Sequence, residues 1–355
     1  MNNKVMVAMS GGVDSAAAAL LIKKAGYDAA GITMKLWSEN ERVTDTCSGT
    51  TNSDIDDAKK IAAALDMPHF VLPLGDTFRA CVIDKFISDY KCGATPNPCV
   101  ECNRYIKFGK LLESSVNMGY DRIATGHYAI VEQAPSGRFV IKKAADRAKD
   151  QSYVLWSLTQ ETLARTLLPL GEYNKSEIRE LAAEYGFVNA HKSDSQDICF
   201  IPDGDYAGFI CRNTSEVFPE GNFIDSDGNI LGRHGGIINY TIGQRKGLGI
   251  ALGKPMFVKE KDIEKNTVTL CDNAELFSRR LTASRINFIA CEDMRTPTRI
   301  EAKIRYKHDA APATVTQTDT DKFTLEFDEP QRAIARGQSV VLYDGDTLVG
   351  GGIID

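Results

Sequence analysis

Two proline-flanked cysteine segments are the first candidates for chemistry in this 355-residue chain. Cys99 and Cys102 form a Cys-x-x-Cys pair in TPNPCVECNRYIKFG, and Cys199 lies in SDSQDICFIP. Packing gains little from a thiol in such polar loops, whereas a nearby cation favours the reactive thiolate, and Arg104 and Lys107 follow Cys102 closely. Sulfur transfer would need two such thiols, one to carry a persulfide and a second to release the sulfur. The alternative is that these cysteines are small buried hydrophobes.

The remaining cysteines lack such surroundings. A free cysteine is often a small buried hydrophobe, and this interpretation is favoured for Cys47, Cys81, Cys92, Cys211, Cys271 and Cys291. The N-terminus MNNKVMVAMSGG shows no signal-peptide pattern, and we find no run of roughly 20 apolar residues that would span a membrane. The nine cysteines are therefore expected to be thiols in a reducing compartment, which predicts a cytoplasmic protein without a membrane partner.

A glycine-rich loop, Ser10–Ser15 (SGGVDS), is the candidate phosphate site. Glycines let backbone N–H groups approach an anion, and a following helix adds its positive end. Asp14 offers an oxygen ligand for Mg²⁺. The loop is not a Walker loop, because no Gly-Lys-Ser/Thr follows. The alternative is a glycine-rich turn that binds no ligand.

The loop and the cysteines need a scaffold of strands and helices. Apolar runs predict strands at Lys4–Met9, Ala29–Trp37, His69–Leu72 and Arg122–Thr125, with helices at Asp14–Ala25 (stopped by Gly26) and Ser53–Leu65. This alternation predicts an α/β fold with a parallel sheet.

After about residue 200, short alternating stretches predict hairpins and a small sheet or barrel, as at Thr267–Leu270, Phe323–Phe327 and Ser339–Tyr343, with turns at Asp227-Gly228 and Asp344-Gly345. We expect three domains, over residues 1–200, 201–274 and 275–355.

Two clusters of basic residues are candidates for RNA contact, although the net charge is −6. They comprise Arg279, Arg280, Arg285, Arg295, Arg299, Lys303, Arg305 and Lys307, and Arg138, Lys142, Lys143, Arg147 and Lys149. Clustered cations bind phosphates, and Tyr306 offers a ring for stacking on an unpaired base. A solvated charged face explains the same spacing equally well.

The SGGVDS loop resembles the signature of the ATP pyrophosphatase superfamily, whose members transfer AMP to an oxygen and release pyrophosphate. Longer segments resemble the tRNA-specific 2-thiouridylase family. They are the two cysteine segments together with Ala124–Tyr128, Lys149–Tyr153 and Asn239–Gly249. The resemblance extends from Val5 to Gly337-Gln338, nearly the whole chain.

The resemblance implies a role for each matching residue. Cys102 is the nucleophile and Cys199 carries the persulfide, and the two form a disulfide between turnovers. The ATP site is expected at Ala8, Met9, Ser10, Gly11, Gly12, Val13, Asp14, Ser15, Met34 and Gly126. Asn97, Pro98 and Cys99 are expected beside the target base. Contacts to tRNA are expected from His127, Lys149, Asp150, Gln151, Arg305, Tyr306 and Gln338.

The implied fold is an N-terminal parallel-sheet ATP pyrophosphatase domain, a small central domain and a C-terminal β-barrel. The implied reaction uses ATP and Mg²⁺ to activate the wobble uridine of Lys, Glu and Gln tRNAs. A cysteine desulfurase or a sulfur-relay protein is the expected donor.

Many relatives carry Asp where this chain has Cys99. One alternative is therefore that Cys99, Cys102 and Cys199 hold a [4Fe–4S] cluster that delivers the sulfur. Zinc is a third option, although no fourth ligand is evident. Two rival functions also remain: another adenylating enzyme that acts on a small molecule, and an RNA-binding protein with a structural metal at the cysteine pair.

Overall fold

The computed structural model describes residues 3–36, 52–187 and 198–355. In chain order the strands are β1 (Lys4–Ala8), β2 (Asp28–Lys35), β3 (His69–Pro73), β4 (Arg122–Ala124), β5 (Ala129–Gln133), β6 (Phe139–Lys143), β7 (Thr166–Leu167), β8 (Gly221–Ile224), β9 (Ile230–His234), β10 (Phe257–Asp262), β11 (Thr267–Cys271), β12 (Phe277–Phe288), β13 (Thr298–Lys303), β14 (Ala311–Asp319), β15 (Lys322–Arg332), β16 (Ser339–Asp344) and β17 (Thr347–Ile354).

The α-helices are α1 (Val13–Lys24), α2 (Asn52–Ala64), α3 (Gly75–Phe78), α4 (Asp84–Lys91), α5 (Pro98–Glu101), α6 (Leu112–Asn117), α7 (Gln160–Ala164), α8 (Lys175–Glu184) and α9 (Tyr206–Asn213). Two π-helical stretches, Arg79–Ile83 and Cys102–Leu111, join α3 to α4 and α5 to α6. Short 3₁₀ turns occupy Ser152–Leu155, Ile237–Asn239 and Asn273–Leu276. Within the described ranges, every helix is too short or too polar to cross a membrane.

The first sheet is parallel and has the strand order β3-β2-β1-β4-β7. Its predicted strands are confirmed to within two residues at each end, and Gly26 ends α1 with a φ of +82°. The chain builds outward from β1 through β2 and β3, then crosses to the other side at β4. Such a reversal leaves a crevice at the carboxyl ends of β1 and β4, where parallel α/β sheets bind ligands.

A run of alanines lets α1 pack closely on this sheet. Ala16, Ala17, Ala18 and Ala19 are fully buried, and α8 packs beside α1. Small side chains bring the helix backbone near the strands, so the residues that begin α1 are held against the end of β1.

The central unit is a four-stranded sheet of order β10-β11-β8-β9, in which only the pair of β8 and β11 is parallel among the described pairings. Phe223 and Val258 from this sheet share one hydrophobic cluster with Phe78, Phe86 and Tyr90 of the 75–91 helix. The central sheet is therefore packed directly on the N-terminal helices.

The C-terminal strands close into a barrel, because β12 pairs with β15 at one edge and with β17 at the other. The predicted α/β class and the C-terminal barrel are thus confirmed. A hairpin from the N-terminal half joins the same sheet, since β6 pairs with β17 through Ile141 opposite Leu348. Trp156 is buried against the barrel and donates its indole N–H to Ser339 Oγ at 3.0 Å.

Candidate functional site

The glycine-rich loop follows β1 at the crevice and leads into α1. Gly11 has a φ of +72°, and a Cβ there would lie 2.5 Å from the Asp54 carbonyl oxygen, so glycine alone fits. Gly12 is the N-cap and has no side chain with which to bond the first-turn N–H groups. Those groups and the positive end of the helix are arranged to receive an anion.

Both serines of the loop are used to hold its shape. Ser15 Oγ accepts from the Ser10 N–H at 3.1 Å and donates to the Gly12 carbonyl at 2.9 Å. Ser10 is exposed, and its Oγ lies 3.4 Å from Ser15 Oγ. The loop is therefore preorganised before any phosphate arrives.

Gly126 follows β4 and Met34 lies near the end of β2, the two strands that flank β1. A Cβ on Gly126 would lie 2.8 Å from the Asp14 carbonyl carbon and 3.0 Å from the Ser15 nitrogen. Met34, on β2, is half-buried next to the same edge. The predicted nucleotide residues from β1, β2 and the end of β4 are thus brought to one edge of the sheet, with Ala8 and Met9 at the end of β1.

The Asp14 carboxylate is bonded to groups from two other parts of the chain. Lys175 Nζ donates to both of its oxygens, at 2.7 and 2.8 Å, and the Tyr128 hydroxyl donates to Oδ1 at 2.8 Å. Lys175 is buried. In this arrangement Asp14 has a cation of its own, so its role as a Mg²⁺ ligand stays a prediction.

The Cys99–Cys102 segment begins a helix. Asn97 is the N-cap, and its Oδ1 accepts from the Cys99 N–H at 3.1 Å. Pro98 occupies the first helical position, where its missing N–H costs nothing. Pro98 and Val100 are buried and anchor the turn. Cys99 and Cys102, three residues apart, consequently share one face of the helix.

Cys199 is held by its neighbour Phe200. The Phe200 ring packs edge-on against Phe78 and Phe86, with centroids 5.8 and 5.4 Å away, and tilts against Phe209 at 5.2 Å. Cys199 and Cys102 both border this hydrophobic cluster. Residues 193–197 of the same sequence motif lie outside the described residues.

Cys99 lies close enough to Cys102 to raise its pKa, and both thiols raise the pKa of Cys199. Burial raises the pKa of Cys102 to about 11, and burial together with the other two thiols raises the pKa of Cys199 further. Cys99 is solvent-exposed, yet desolvation by the surrounding protein raises the pKa of its thiol as well, which fits a concave site that solvent still reaches. Lys107 opposes the rise at all three cysteines. All of the described cysteines are free thiols.

A metal ion or a cluster would need three or more ligands close together. Within residues 3–36, 52–187 and 198–355, no three His, Cys, Asp or Glu side chains are grouped so as to hold a metal ion. In this arrangement Cys99, Cys102 and Cys199 are not grouped as a ligand set, so a cluster or a zinc ion at these thiols stays a prediction.

The other cysteines were predicted to be buried, and this is wrong for two of them. Cys92 and Cys211 are exposed, Cys271 is buried, and Cys81 and Cys291 are half-buried. Cys92 follows the last turn of α4 and Cys211 lies on the outer face of α9, where local sequence gives no packing signal. Cys47 lies outside the described residues.

Several residues that the resemblance assigns to tRNA have structural partners here. Asp150 accepts from the Ala144 and Ser152 N–H groups, and Gln151 Oε1 accepts from the Tyr128 N–H at 3.0 Å. Lys149 is half-buried in the same loop. The 149–151 loop is thereby fixed beside the nucleotide edge, because Tyr128 also bonds Asp14.

The barrel residues that the resemblance assigns to tRNA lie beside the cysteine loop, the segment from Ala94 to Cys102. Gln338 Nε2 donates to the Thr95 carbonyl at 2.8 Å, and the Tyr306 hydroxyl donates to the Asp150 carbonyl at 3.2 Å. Cys99 is among the groups that raise the pKa of Tyr306, after burial. Arg305 is half-buried and donates to the Ala333 carbonyl. The structure thus brings these barrel residues to the neighbourhood of Cys99.

His127, which the resemblance assigns to tRNA contact, does not lie on the surface. Its side chain is buried, with Nδ1 2.7 Å from Thr125 Oγ1 and Nε2 3.4 Å from Lys107 Nζ. Burial, followed by the Lys107 charge, holds the pKa of His127 well below its usual range, so the ring is neutral.

Most cations of the two basic clusters are neutralised by acids of the protein. The pairs are Arg279–Glu329, Arg280–Glu326, Arg295–Asp293, Arg299–Asp328, Arg138–Glu292, Lys142–Glu132 and Arg147–Asp346. For these residues the structure favours the solvated charged face over RNA contact.

Two contacts of the site, and the role of Gly109, could not be predicted from sequence spacing. Lys175 meets Asp14 only through the packing of α8 on α1. His127 meets Lys107 only because the π-helical stretch passes the loop after β4. Gly109 allows that stretch, since a Cβ there would lie 2.8 Å from the Arg104 carbonyl oxygen. The sole local signal was Gly109 itself, in the middle of a helical sequence.

Three family models match successive parts of the chain: a tRNA methyl transferase HUP domain over residues 3–203, a tRNA methyl transferase PRC-barrel domain over 207–272 and an aminomethyltransferase β-barrel domain over 278–354. The tRNA-specific 2-thiouridylase MnmA of Lachnoclostridium phytofermentans is 50% identical over 355 residues, 99% of each chain. That of Clostridioides difficile is 48% identical over 356 residues, 100% of this chain and 99% of the relative. The chain belongs to the tRNA-specific 2-thiouridylase family.

Membership of the 2-thiouridylase family confirms the resemblance seen in the sequence. Likeness to solved structures is weaker. A 4-thiouridine synthetase–RNA complex with bound ATP matches 56% of this chain and 45% of its own, at 20% identity and a TM-score of 0.36.

Proposed function

We propose that this protein uses ATP to replace the C2 oxygen of the wobble uridine of tRNA with sulfur. One observation carries the proposal. Cys102 and Cys199, which are far apart in sequence, border one hydrophobic cluster, and Cys102 raises the pKa of Cys199, in a chain whose full-length relatives are tRNA-specific 2-thiouridylases. A pair of adjacent thiols is what persulfide chemistry requires.

The first step is adenylation at the crevice. The loop Ser10–Ser15 and the start of α1 bind the phosphates. Gly126, which has no side chain, lets the segment after β4 lie close to the backbone of Asp14 and Ser15. The C2 oxygen of the uridine attacks the α-phosphorus, the bond from that phosphorus to the β-phosphate bridge breaks, and pyrophosphate leaves. A Mg²⁺ ion, when bound, would offset phosphate charge. The uridine leaves its stack to reach the site, at some cost in unstacking.

The second step is sulfur transfer. The terminal sulfur of a Cys199 persulfide attacks C2, and the C2–O bond breaks with AMP as the leaving group. The Cys102 thiolate then attacks the Cys199 sulfur and breaks the bond to the transferred sulfur, which stays on the base as 2-thiouridine. A Cys102–Cys199 disulfide results, and a dithiol reductant restores both thiols. Asn97, Pro98 and Cys99 lie beside the base in this scheme.

The persulfide has to be supplied by another protein. A cysteine desulfurase or a sulfur-relay protein delivers it to Cys199, and the tRNA substrates are the Lys, Glu and Gln isoacceptors. Both assignments rest on family resemblance. We infer a location in the cytoplasm, because tRNA, ATP and reduced thiols occur together there.

Pyrophosphate release with and without unmodified tRNA tests the proposal. We expect release that depends on tRNA, and 2-thiouridine only when a sulfur donor is added. Release stimulated by a metabolite without tRNA would indicate another adenylating enzyme, and no ATP consumption would indicate an RNA-binding protein.

Two variants separate the steps. Cys199→Ser should still release pyrophosphate and form no 2-thiouridine, because a hydroxyl cannot carry a persulfide. Cys211→Ser is the matched control, since Cys211 is exposed on α9. Normal 2-thiouridine from Cys199→Ser would end the persulfide scheme.

A further inference from the structure

Lys107 stands one helical turn after Cys102 because of an unusual helix. A π-helix bonds residues five apart, so the π-helical stretch Cys102–Leu111 places Lys107 over Cys102. In an α-helix a residue five positions on would point to a different side. Gly109 makes the wide turn possible, because the Arg104 carbonyl oxygen occupies the space that a Cβ would need.

His127 fixes the Lys107 ammonium from the opposite side. Lysine has only donors, so the neutral ring accepts at Nε2, 3.4 Å from Nζ, and Nδ1 carries the proton that is donated to Thr125 Oγ1 at 2.7 Å. The ring also tilts against Phe108, with centroids 5.8 Å apart. A buried histidine held at both nitrogens has no atom left for tRNA.

The groups around Lys107 come from four parts of the chain. Cys99 and Cys102 lie on its own helix, Cys199 on the turn before α9, His127 on the loop after β4, and Tyr306 of the barrel lies near Cys99. Three of these groups are thiols, and Lys107 is the cation that faces them. A sulfur anion formed here is stabilised by Lys107.

We propose that Lys107 supplies the positive charge that stabilises sulfur anions at the three-cysteine site, and that His127 is the positioning residue that holds it there. The inference rests on the proposed function for its place in catalysis: the charge favours the Cys102 thiolate, formed by loss of its proton to solvent, as it attacks the Cys199 sulfur.

The test measures cysteine reactivity without ATP or tRNA. Iodoacetamide labelling of Cys102 at pH 7.5, followed by mass spectrometry, is compared for the full-length wild type, Lys107→Met, Lys107→Arg and His127→Ala. If loss of the Lys107 charge raises the pKa of the Cys102 thiol by about one unit, the thiolate fraction and the labelling rate fall about tenfold. We expect that loss for Lys107→Met, a severalfold loss for His127→Ala, and a rate near wild type for Lys107→Arg.

Lys110→Met is the matched control, because Lys110 lies on the same helix but is exposed and bonded to Glu113. Its labelling rate should not change. The affinity for tRNA, measured in parallel, should be unaffected in His127→Ala.

Two results would overturn the inference: labelling of Lys107→Met at the wild-type rate, or weakened tRNA binding by His127→Ala with labelling unchanged. If Lys107→Met fails to fold, Lys107→Arg and His127→Gln decide, since both should keep at least half of the wild-type labelling rate and any lower rate contradicts the role. Because labelling needs no substrate, a protein that did not thiolate tRNA would still give the predicted rates, so the two proposals fail separately.

Discussion

The ammonium of Lys175 lies 2.7 and 2.8 Å from the two carboxylate oxygens of Asp14, although the residues stand 161 positions apart. Asp14 belongs to the phosphate loop, and Lys175 begins α8. The pair is mostly shielded from water, with the Lys175 side chain 9% exposed and that of Asp14 32%. It therefore connects the phosphate loop to α8.

Removing one partner of this pair should lower the free energy of unfolding more than removing both. Lys175→Met leaves Asp14 without its cation and should lower the free energy of unfolding by about 2 kcal/mol, less than for a fully buried pair because Asp14 is partly exposed. The double variant Asp14→Asn/Lys175→Met should recover most of that stability, since no unpaired charge remains.

Urea unfolding of the two single variants and the double variant measures the coupling. Pyrophosphate release separates stability from function: we expect it to be abolished in the double variant although its fold is restored, because Asp14 belongs to the phosphate loop. Additive losses of stability would show that the pair is not coupled, and adenylation by the double variant would remove Asp14 from the ATP site.

Much of the N-terminal domain was predictable because its signals are local. The strand at Lys4–Ala8, the loop Ser10–Ser15 and the stop at Gly26 each depend on neighbouring residues, and the structure confirms the two elements that flank the loop. Periodicity and glycine conformation determine such features within one turn or strand.

The parts that escaped prediction depend on distant contacts. The hairpin of β5 and β6 lies within the predicted first domain, yet it pairs with β17 of the barrel. Pairing at the edge of a sheet uses backbone N–H and C=O groups, which every sequence has, so no local sequence signal predicts the pairing of β6 with β17. Likewise, spacing identified Lys107 as close to Cys102 in the sequence, but the π-helical stretch and His127, which determine where its charge lies, are tertiary features.

The barrel is docked on the cysteine loop through Gly337. The Thr95 N–H donates to the Arg336 carbonyl at 2.8 Å, and a Cβ on Gly337 would lie 2.8 Å from Ala94 Cβ and 3.0 Å from the Thr95 nitrogen. Gly337→Ala should push this loop away and reduce 2-thiouridine formation at least tenfold, while pyrophosphate release changes little.

Gly345→Ala is the control for backbone strain. Gly345 also has a positive φ, of 56°, but has open space where a Cβ would be. Both variants should lose about 1 kcal/mol of stability from the left-handed backbone, and only Gly337→Ala should lose thiolation. Equal thiolation by the two variants would contradict a role for this docking contact.

Arg305 and Arg299 offer a direct test of which barrel cations bind tRNA. Arg299 is held by both oxygens of Asp328, at 2.6 and 2.7 Å, whereas Arg305 donates to the backbone carbonyl of Ala333 and lies near Tyr153. Arg305→Ala should weaken tRNA binding and reduce the salt slope by about one unit, for one lost phosphate contact.

Arg299→Ala should leave the affinity and the slope nearly unchanged, because Asp328 already neutralises that cation. Filter binding of unmodified tRNA across a salt series measures both quantities. If the two variants behave alike, the sorting of cations by their ion pairs is wrong.

Lys261 is a buried cation of the central sheet and should reduce the stability of the protein at neutral pH. Its Nζ has no hydrogen-bond partner among the described residues and lies 5.8 Å from the Tyr90 ring centroid. Burial lowers the pKa of Lys261 from 10.5 to about 8, a difference that corresponds to about 3 kcal/mol.

The sign of the pH effect follows from the lowered pKa. The unfolded chain binds this proton up to about pH 10.5 and the folded chain only up to about pH 8, so the contribution of Lys261 to stability is recovered between these values and lost as the pH falls through 8. Lys261→Met removes the cost of burying a charged ammonium and should stabilise the protein by up to about 3 kcal/mol at pH 7. The advantage should shrink towards zero by pH 10.5.

Urea unfolding at pH 7 and pH 10.5 measures the difference. Lys265→Met is the control from the same hairpin, because Lys265 is 78% exposed and pairs with Asp262 at 3.0 Å. That variant should show no gain at pH 7. A Lys261→Met variant no more stable than wild type at pH 7, or equally stabilised at both pH values, would mean that the ammonium of Lys261 is not buried at a cost.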